Sequence, residues 1–274
     1  MKYVLKAFAV LVLFTMFSGC IEYGMLIKVD KNGSGTIEQK LVMSKAVMEM
    51  LKQFPGSSQS EQGKDIALYD VESLKNNAAK FGKGVTFEGS QKISGADGEG
   101  YSAIYKFNNV NDLRLDNDPG SQISLAGFEN DELSDDSTAD DYTLFSFTKG
   151  NPSVLVISQN PDYGDNTDTT IAEETDTVSA DSELTDEAVN TFKGLRISIV
   201  VQTDGKVIET DASYSDKNAI TLLDIDFEKI IKNKANFAEF GRLQKADDRN
   251  AKALLKKIDG VKVELKDKVT VKFE

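Results

Sequence analysis

The 274-residue chain has no histidine, no tryptophan, four prolines and a single cysteine. Without histidine, Ser-His-Asp and Cys-His nucleophile systems cannot be assembled, and the common zinc sites lose a usual ligand. One cysteine cannot close an intramolecular disulfide, so no disulfide framework is expected. The sequence also lacks a Walker-type phosphate loop, a Gly-x-Gly-x-x-Gly opening a helix, and a serine nucleophile elbow. An enzyme built here would have only carboxylates, Lys, Tyr or a hard metal ion to work with. The expectation is a protein without catalytic activity and without a cofactor.

Long apolar runs are also scarce. Lys2 and Lys6 lead an uncharged stretch from Ala7 to Phe17, eleven residues long, and Ser18-Gly19-Cys20 follow. A basic head, a short apolar middle and small residues at the end form the pattern of a secretory signal peptide. The run is too short to cross a hydrocarbon core of roughly 30 Å, which takes about 20 apolar residues. Phe17-Ser18-Gly19-Cys20 resembles the lipobox of bacterial lipoproteins, with Phe17 where Leu is usual, and the chain's one cysteine stands at the modified position. The resemblance implies cleavage after residue 19 and a diacylglycerol on Cys20, with two or three acyl chains holding the protein to a membrane of the cell envelope. Two or more chains are what stable anchoring takes, because a single chain binds only marginally. Ile21 rather than Asp after the cysteine implies outer-membrane sorting if the source has two membranes.

Positive charge is in short supply. There are 32 Lys and Arg against 45 Asp and Glu, and losing Lys2 and Lys6 with the signal takes the formal net charge from −13 to −15. Nucleic acid needs clustered Lys and Arg, so it is not an expected partner. The same balance disfavours adsorption to anionic lipid, which leaves the acyl chains on Cys20 as the expected hold on the membrane.

The mature chain reads as α+β: an antiparallel sheet built from hairpins, helices packed on one face, and a long acidic loop or linker. Ile21, Tyr23, Met25, Ile27 and Val29 alternate with mostly polar residues, as on a half-buried strand, and Thr36–Val42 returns after Asp30–Gly35. Asn32-Gly33 between alternating runs predicts a type I′ hairpin. Ser44 fits an N-cap with Val47, Met50, Leu51 and Phe54 on one face, and a second helix covers Val71–Phe81, stopped by Gly82. Further strand pairs are expected at Val85–Ile93 with Tyr101–Phe107, and at Tyr142–Thr148 with Ser153–Ser158. Leu195–Thr203 and Lys206–Ala212 flank Asp204-Gly205, again a type I′ signature. Ala219–Ile225 reads as a strand running into a short helix at Phe227–Ile231. Ala251, Leu254, Leu255 and Ile258 mark a helix ended by Gly260, and Val261–Leu265 with Val269–Phe273 makes a closing hairpin.

Between Leu115 and Phe192 the only basic residue is Lys149, against nineteen acids. Asp162–Glu187 alone holds ten acids with few large apolar residues, too little to offset a chain entropy of about 1–2 kcal/mol per residue. The expected organisation is therefore a signal peptide over 1–19, an N-terminal α+β part over 20–158, an acidic linker or loop over 159–190, and a C-terminal α+β part over 191–274. The C-terminal hairpins are few to stand alone, which favours one sheet shared by both parts.

Asp30-Lys31-Asn32-Gly33-Ser34-Gly35-Thr36-Ile37-Glu38 resembles the first nine positions of an EF-hand calcium loop. Oxygen ligands would come from Asp30, Asn32, Ser34, Thr36 and Glu38. Position twelve, a bidentate Glu in that family, is Leu41, and no helix leads in, so a plain hairpin turn accounts for the same residues. Asp116-Asn117-Asp118, Asp135-Asp136, Asp140-Asp141 and Asp162–Asp168 could offer oxygens to Ca²⁺ or Mg²⁺, although acid runs are commonly solvated. A glycosidase-like carboxylate pair needs two acids roughly 5–10 Å apart, and nothing in the pattern singles one out.

The mature chain also resembles envelope lipoproteins that begin with a hairpin soon after the lipidated cysteine, here Leu26–Ile37 with Asp30, Gly33 and Gly35 at the turn. A late strand pair, Gly205–Thr210 followed by Asn218–Leu222, is similar to one in the same proteins, which commonly carry a Trp that this chain lacks. The resemblance implies an envelope role and brings no activity with it. The function expected from sequence is a lipid-anchored binding or structural protein. The alternatives are a hydrophobic-ligand carrier, its groove lined from the eight Tyr and fifteen Phe, and a carboxylate- or metal-dependent enzyme.

Overall fold

The computed structural model describes residues 21–45, 47–48, 69–95, 98–116, 142–159, 194–243 and 248–274. The signal peptide, Cys20, most of the helix that starts after Ser44, the acid runs beyond Asp116 and the acidic stretch 160–190 lie outside the described residues.

Among the described residues thirteen strands form two sheets. β1 (Ile21–Val29) and β2 (Gly35–Met43) make the first hairpin, and β3 (Thr86–Ser94) with β4 (Glu99–Phe107) makes the second. β2 pairs β4 so that Ile37 faces Tyr105 and Leu41 faces Tyr101. Period-two alternation then puts Tyr23, Met25, Ile27, Val29, Ile37, Leu41, Tyr101, Tyr105 and Phe107 on one buried face. The opposite face carries Lys28 against Glu38 and Lys40 against Glu22.

Between the hairpins, α1 (Val71–Asn77) starts at Asp70, whose carboxylate accepts from the Glu72 amide and the Ser73 hydroxyl. It tightens into a 3₁₀ turn over Ala78–Phe81 and stops at Gly82. Leu74 and Phe81 seal the buried face, the Phe81 ring lying 4.8 Å from Tyr105.

The second sheet has the order β5 (Arg114–Asp116), β6 (Tyr142–Thr148), β7 (Ser153–Ser158), β13 (Lys268–Phe273), β9 (Val207–Thr210). β6 and β7 pair as their alternation foretells, across the turn that contains a cis Asn151-Pro152 bond. Phe145, Leu155, Ile157, Val269, Val271 and Phe273 from this sheet join the buried face of the first in one continuous apolar cluster. The single antiparallel sheet expected from sequence is therefore two sheets with a shared core.

The C-terminal strands feed both sheets. β8 (Arg196–Thr203) lies parallel to β1, the only parallel pair among the described strands, and antiparallel to β11 (Ala219–Asp226). Both edges of β8 are thus occupied, and the hairpin foreseen at Asp204-Gly205 does not form. The chain crosses instead to the second sheet as β9, which pairs β13. It returns as β10 (Ser215–Asp216), which pairs β11. The late strands β9 and β11 therefore stand in different sheets rather than as a pair.

The closing hairpin is also replaced by a crossing. β12 (Val261–Val263) pairs β11, whereas β13 pairs β7 and β9. The reason lies at Glu264, which is fully buried while Leu265 is only half-buried. A carboxylate that simple alternation would leave on the outer face is buried instead, out of phase with Val261 and Val263, and the strand breaks there.

Between β11 and β12 come three helices: α2 (Phe227–Lys232), α3 (Lys234–Leu243) and α4 (Asp248–Leu255). Asp226 caps the first by accepting from the Lys229 amide, and the Asn233 side chain accepts from the amides of Ala235 and Asn236 at the start of the second. Ile230, Ile258 and Val261 are the buried centre of a separate apolar cluster that includes Phe227, Phe240 and Leu255. No described helix is long and apolar enough to cross a membrane.

Candidate functional site

The hairpin over Asp30–Glu38 was the sequence's candidate for a metal. Gly33 N–H donates to Asp30 O at 2.9 Å and Asp30 N–H to Ser34 O at 2.8 Å, leaving Lys31, Asn32 and Gly33 as a three-residue loop. Only Gly33 has a positive φ, +84°, so this is a turn closed by a glycine bulge rather than the type I′ turn read from Asn-Gly. Ser34 joins the loop together. Its amide donates to Asn32 Oδ1, and its hydroxyl lies 2.8 Å from both Asp30 Oδ2 and Asn32 Oδ1.

Thr36 and Glu38 do not converge on those oxygens. They lie on β2, on the face away from the core, where Glu38 pairs with Lys28. Among the described residues no group of three or more His, Cys, Asp or Glu is placed to hold a metal ion. The three loop oxygens that do meet are engaged with one another and with the backbone.

Cys20, the residue expected from sequence to carry lipid, lies outside the described residues, and Ile21 is the first described one. Ile21 is already paired with Met43, and Glu22 with Val42 and Arg196. The residue that follows Cys20 is therefore part of a sheet interior strand, with no tether in between. Next to it Arg196 donates twice to Asp224, Nε at 2.8 Å and Nη2 at 3.1 Å. Those hydrogen bonds hold the guanidinium pKa above its ordinary value.

Several polar groups in the interior were not read from sequence. Gln39 is fully buried, its Nε2 donating to Tyr23 Oη at 3.4 Å and its Oε1 accepting from Tyr105 Oη at 3.5 Å. Burial pushes the hydroxyls of Tyr23, Tyr101 and Tyr105 well above the usual tyrosine range, so all three stay protonated at any physiological pH. Their positions on alternating buried strand faces were legible, but a glutamine in their midst was not.

Glu264 is the other. It accepts from the Ser213 amide at 2.5 Å, the Ser213 hydroxyl at 2.8 Å and the Lys266 amide at 3.2 Å. Ser213 belongs to the crossing from β9 to β10, and Glu264 begins the crossing from β12 to β13. One carboxylate thus ties two inter-sheet connections.

A cleft of about 830 Å³ opens at the end of α1. Lys75, Lys83 and Arg114 line it beside Asp112, and the Arg114 guanidinium stacks 4.9 Å from the centre of the Tyr142 ring. Its lining residues include no Phe or Tyr.

No family model matches the chain, and no curated protein matches it. Among solved structures it is similar to the NMR structure of the folded domain of the LppM protein from Mycobacterium tuberculosis. The identity is 10%, the match covers 76% of this chain and 84% of that one, and the TM-score is 0.29. An overlap that loose transfers no chemistry from one molecule to the other.

Proposed function

We propose that the chain is a lipid-anchored lipoprotein of the cell envelope whose acidic α+β body binds a partner or serves a structural role without catalysis. The observation that carries this reading is the sequence Phe17-Ser18-Gly19-Cys20, ending in the chain's one cysteine. The join to the body supports it. Because Ile21 is the first residue of a central strand, cleavage before Cys20 removes the apolar leader and leaves the fold intact. The non-catalytic part rests on how the charged and polar groups are spent. Lys28–Glu38, Lys40–Glu22 and Arg196–Asp224 pair on one sheet face, and Glu264 is consumed by backbone and hydroxyl donors.

The test is mass spectrometry of the mature N-terminus, together with membrane fractionation of the wild-type chain and of Cys20→Ala. The expected result is a diacylglyceryl-modified Cys20 in the membrane fraction, and an unprocessed or soluble Cys20→Ala variant. An unmodified Cys20 thiol at the mature N-terminus, or membrane retention of a processed variant, overturns the reading.

A further inference from the structure

We infer that the helical layer α2–α4 is a basic surface that rests on the anionic headgroups of the membrane holding Cys20. The inference deepens the reading of Cys20 as an anchor and rests on it.

Topology fixes which end of the body faces the bilayer. Ile21 is held in the sheet, and Cys20 is the residue joined directly to it in the sequence. Acyl chains on Cys20 therefore bring the starting edge of β1 to the membrane. β1 then leads away for nine residues, which places the Asp30–Gly35 turn about 30 Å from the surface.

The same edge carries the helices. Glu22 pairs Arg196, which pairs Asp226, the last residue of β11. Two strand spacings make about 10 Å from β1 to the start of α2. Phe227 N–H donates to Leu195 O and Asp226 N–H to Gly260 O, so the helical excursion leaves the sheet and re-enters it at this one edge.

Its charge is opposite to that of the chain. Residues 227–260 hold nine Lys or Arg and five Asp or Glu, in a protein of formal net charge −13. Glu228 pairs with Lys232 and Glu239 with Arg242, while Asp226 pairs with Lys229. Lys234, Lys256 and Lys257 are exposed and have no ion pair among the described residues, with Asp259 the exposed acid nearby in sequence. Phe237, on α3 and half-exposed, stands outside the apolar cluster that binds the helices together and offers a ring to the interface. Basic residues beside an anchor are attracted by anionic lipid within about one Debye length, roughly 10 Å. Net charge alone argued against such contact, and it is the local distribution that reverses the sign.

The experiment uses the mature chain from Cys20, whose only thiol is coupled to a maleimide lipid in vesicles. Coupling imposes the anchor chemically, whether or not the cell supplies it. Hydrogen exchange is compared on phosphatidylcholine alone and with about 30% phosphatidylglycerol. Exchange of α2–α4 should slow by about fivefold on the anionic vesicles only, and the difference should vanish in about 0.5 M NaCl. The variant Lys234→Glu/Lys256→Glu/Lys257→Glu should lose it too, with an unchanged circular dichroism spectrum, while Lys31→Glu at the far turn should keep it.

Equal exchange on neutral and anionic vesicles overturns the inference. Protection that persists in the triple variant or in high salt does the same. If native Cys20 proves unmodified while the coupled chain shows the anionic-lipid effect, the surface stands and the anchor reading falls. If native Cys20 is acylated and the effect is missing, the anchor stands and the surface falls.

Discussion

Asn32-Gly33 and Asp204-Gly205 present nearly the same dipeptide between alternating runs, yet the chain does opposite things at the two places. At the first, β1 turns back on itself and pairs β2 residue for residue, Val29 with Gly35 and Ile27 with Ile37. At the second, β8 ends and β9 goes to the other sheet. The glycines differ in what they supply. Gly33 has a φ of +84°, a backbone conformation that an L side chain resists. Gly205 is not in that region; a Cβ there would lie 2.0 Å from the carbonyl oxygen of Glu274. One glycine is needed for its own dihedral and the other for the closeness of a strand end 69 positions later in the sequence. Local chemistry settles a turn only when the neighbouring sheet edge is free.

The strongest way to break the comparison is to remove what holds the crossings. Glu264→Ala removes a fully buried carboxylate and leaves the Ser213 amide, the Ser213 hydroxyl and the Lys266 amide, all on exposed residues, without their charged acceptor. Hydrogen bonds to a charged acceptor contribute about 1.5–3 kcal/mol each, and water recovers part of that at Ser213 and Lys266, so a loss of about 4 kcal/mol is expected, read as a lowered urea midpoint by circular dichroism. Glu264→Gln keeps one acceptor oxygen and should lose about half as much. A Glu264→Ala variant as stable as wild type would show that the crossings hold without this carboxylate.

Next in size is Gly205→Ala. The methyl meets backbone, the Glu274 carbonyl oxygen at 2.0 Å and its carbon at 2.7 Å, and backbone cannot swing aside as a side chain can. Lys206 and Glu274 exchange both hydrogen bonds at 3.1 Å, so the shift must stretch that pair. Overpacking of this kind costs about 1–3 kcal/mol, and the upper part of that range is expected by urea denaturation. A loss no larger than that of Gly33→Ala would remove the distinction between the two glycines.

This contrast explains what could be read from the sequence. β1–β2, β3–β4 and β6–β7 are neighbours in both sequence and space, so period-two alternation and turn residues locate the pairs, though neither the glycine bulge at Gly33 nor the register shift between Phe87 and Gly89 was read. α1 and its 3₁₀ extension were read as one helix over Val71–Phe81 with Gly82 as its stop. From β8 on, pairing is decided by which edges remain open, information that no window of sequence contains. Val261, Val263 and Leu265 look like one strand until Glu264 takes the buried place. α3 was missed, although Asn233 ahead of Phe237 and Phe240 is a capping signal, because Gly241 interrupts the pattern.

The candidate site divides in the same way. The resemblance of Phe17-Ser18-Gly19-Cys20 to a lipobox is wholly local and can be read from four consecutive residues. The basic edge of α2–α4 depends on strand order, since only the pairing of β1, β8 and β11 brings Phe227 and its neighbours beside Ile21. A chain-wide charge average cannot see it. The proposed calcium ligands fail to gather for a related reason: Thr36 and Glu38 are on a strand whose alternation carries them to the outer face, next to Lys28.

The smallest effect, and the sharpest cut through the comparison, is expected at Gly33. Alanine there faces two separable costs, a positive φ of roughly 1 kcal/mol and a contact with the Phe147 ring at 2.6 Å. Phe147 is half-buried and its ring packs 6.2 Å from Phe273, so it can turn away more cheaply than backbone can. Gly33→Ala should therefore lose about 1–2 kcal/mol in urea denaturation. Combining it with Phe147→Ala separates the terms in a double-mutant cycle, because the ring contact disappears and the dihedral cost does not. If the cost of Gly33→Ala stays near 1 kcal/mol in the Phe147→Ala background, the hairpin is governed by its own backbone. If the cost vanishes, the tip of the hairpin is held by the Phe147 ring from the second sheet, and the two turns differ less than their dihedrals suggest.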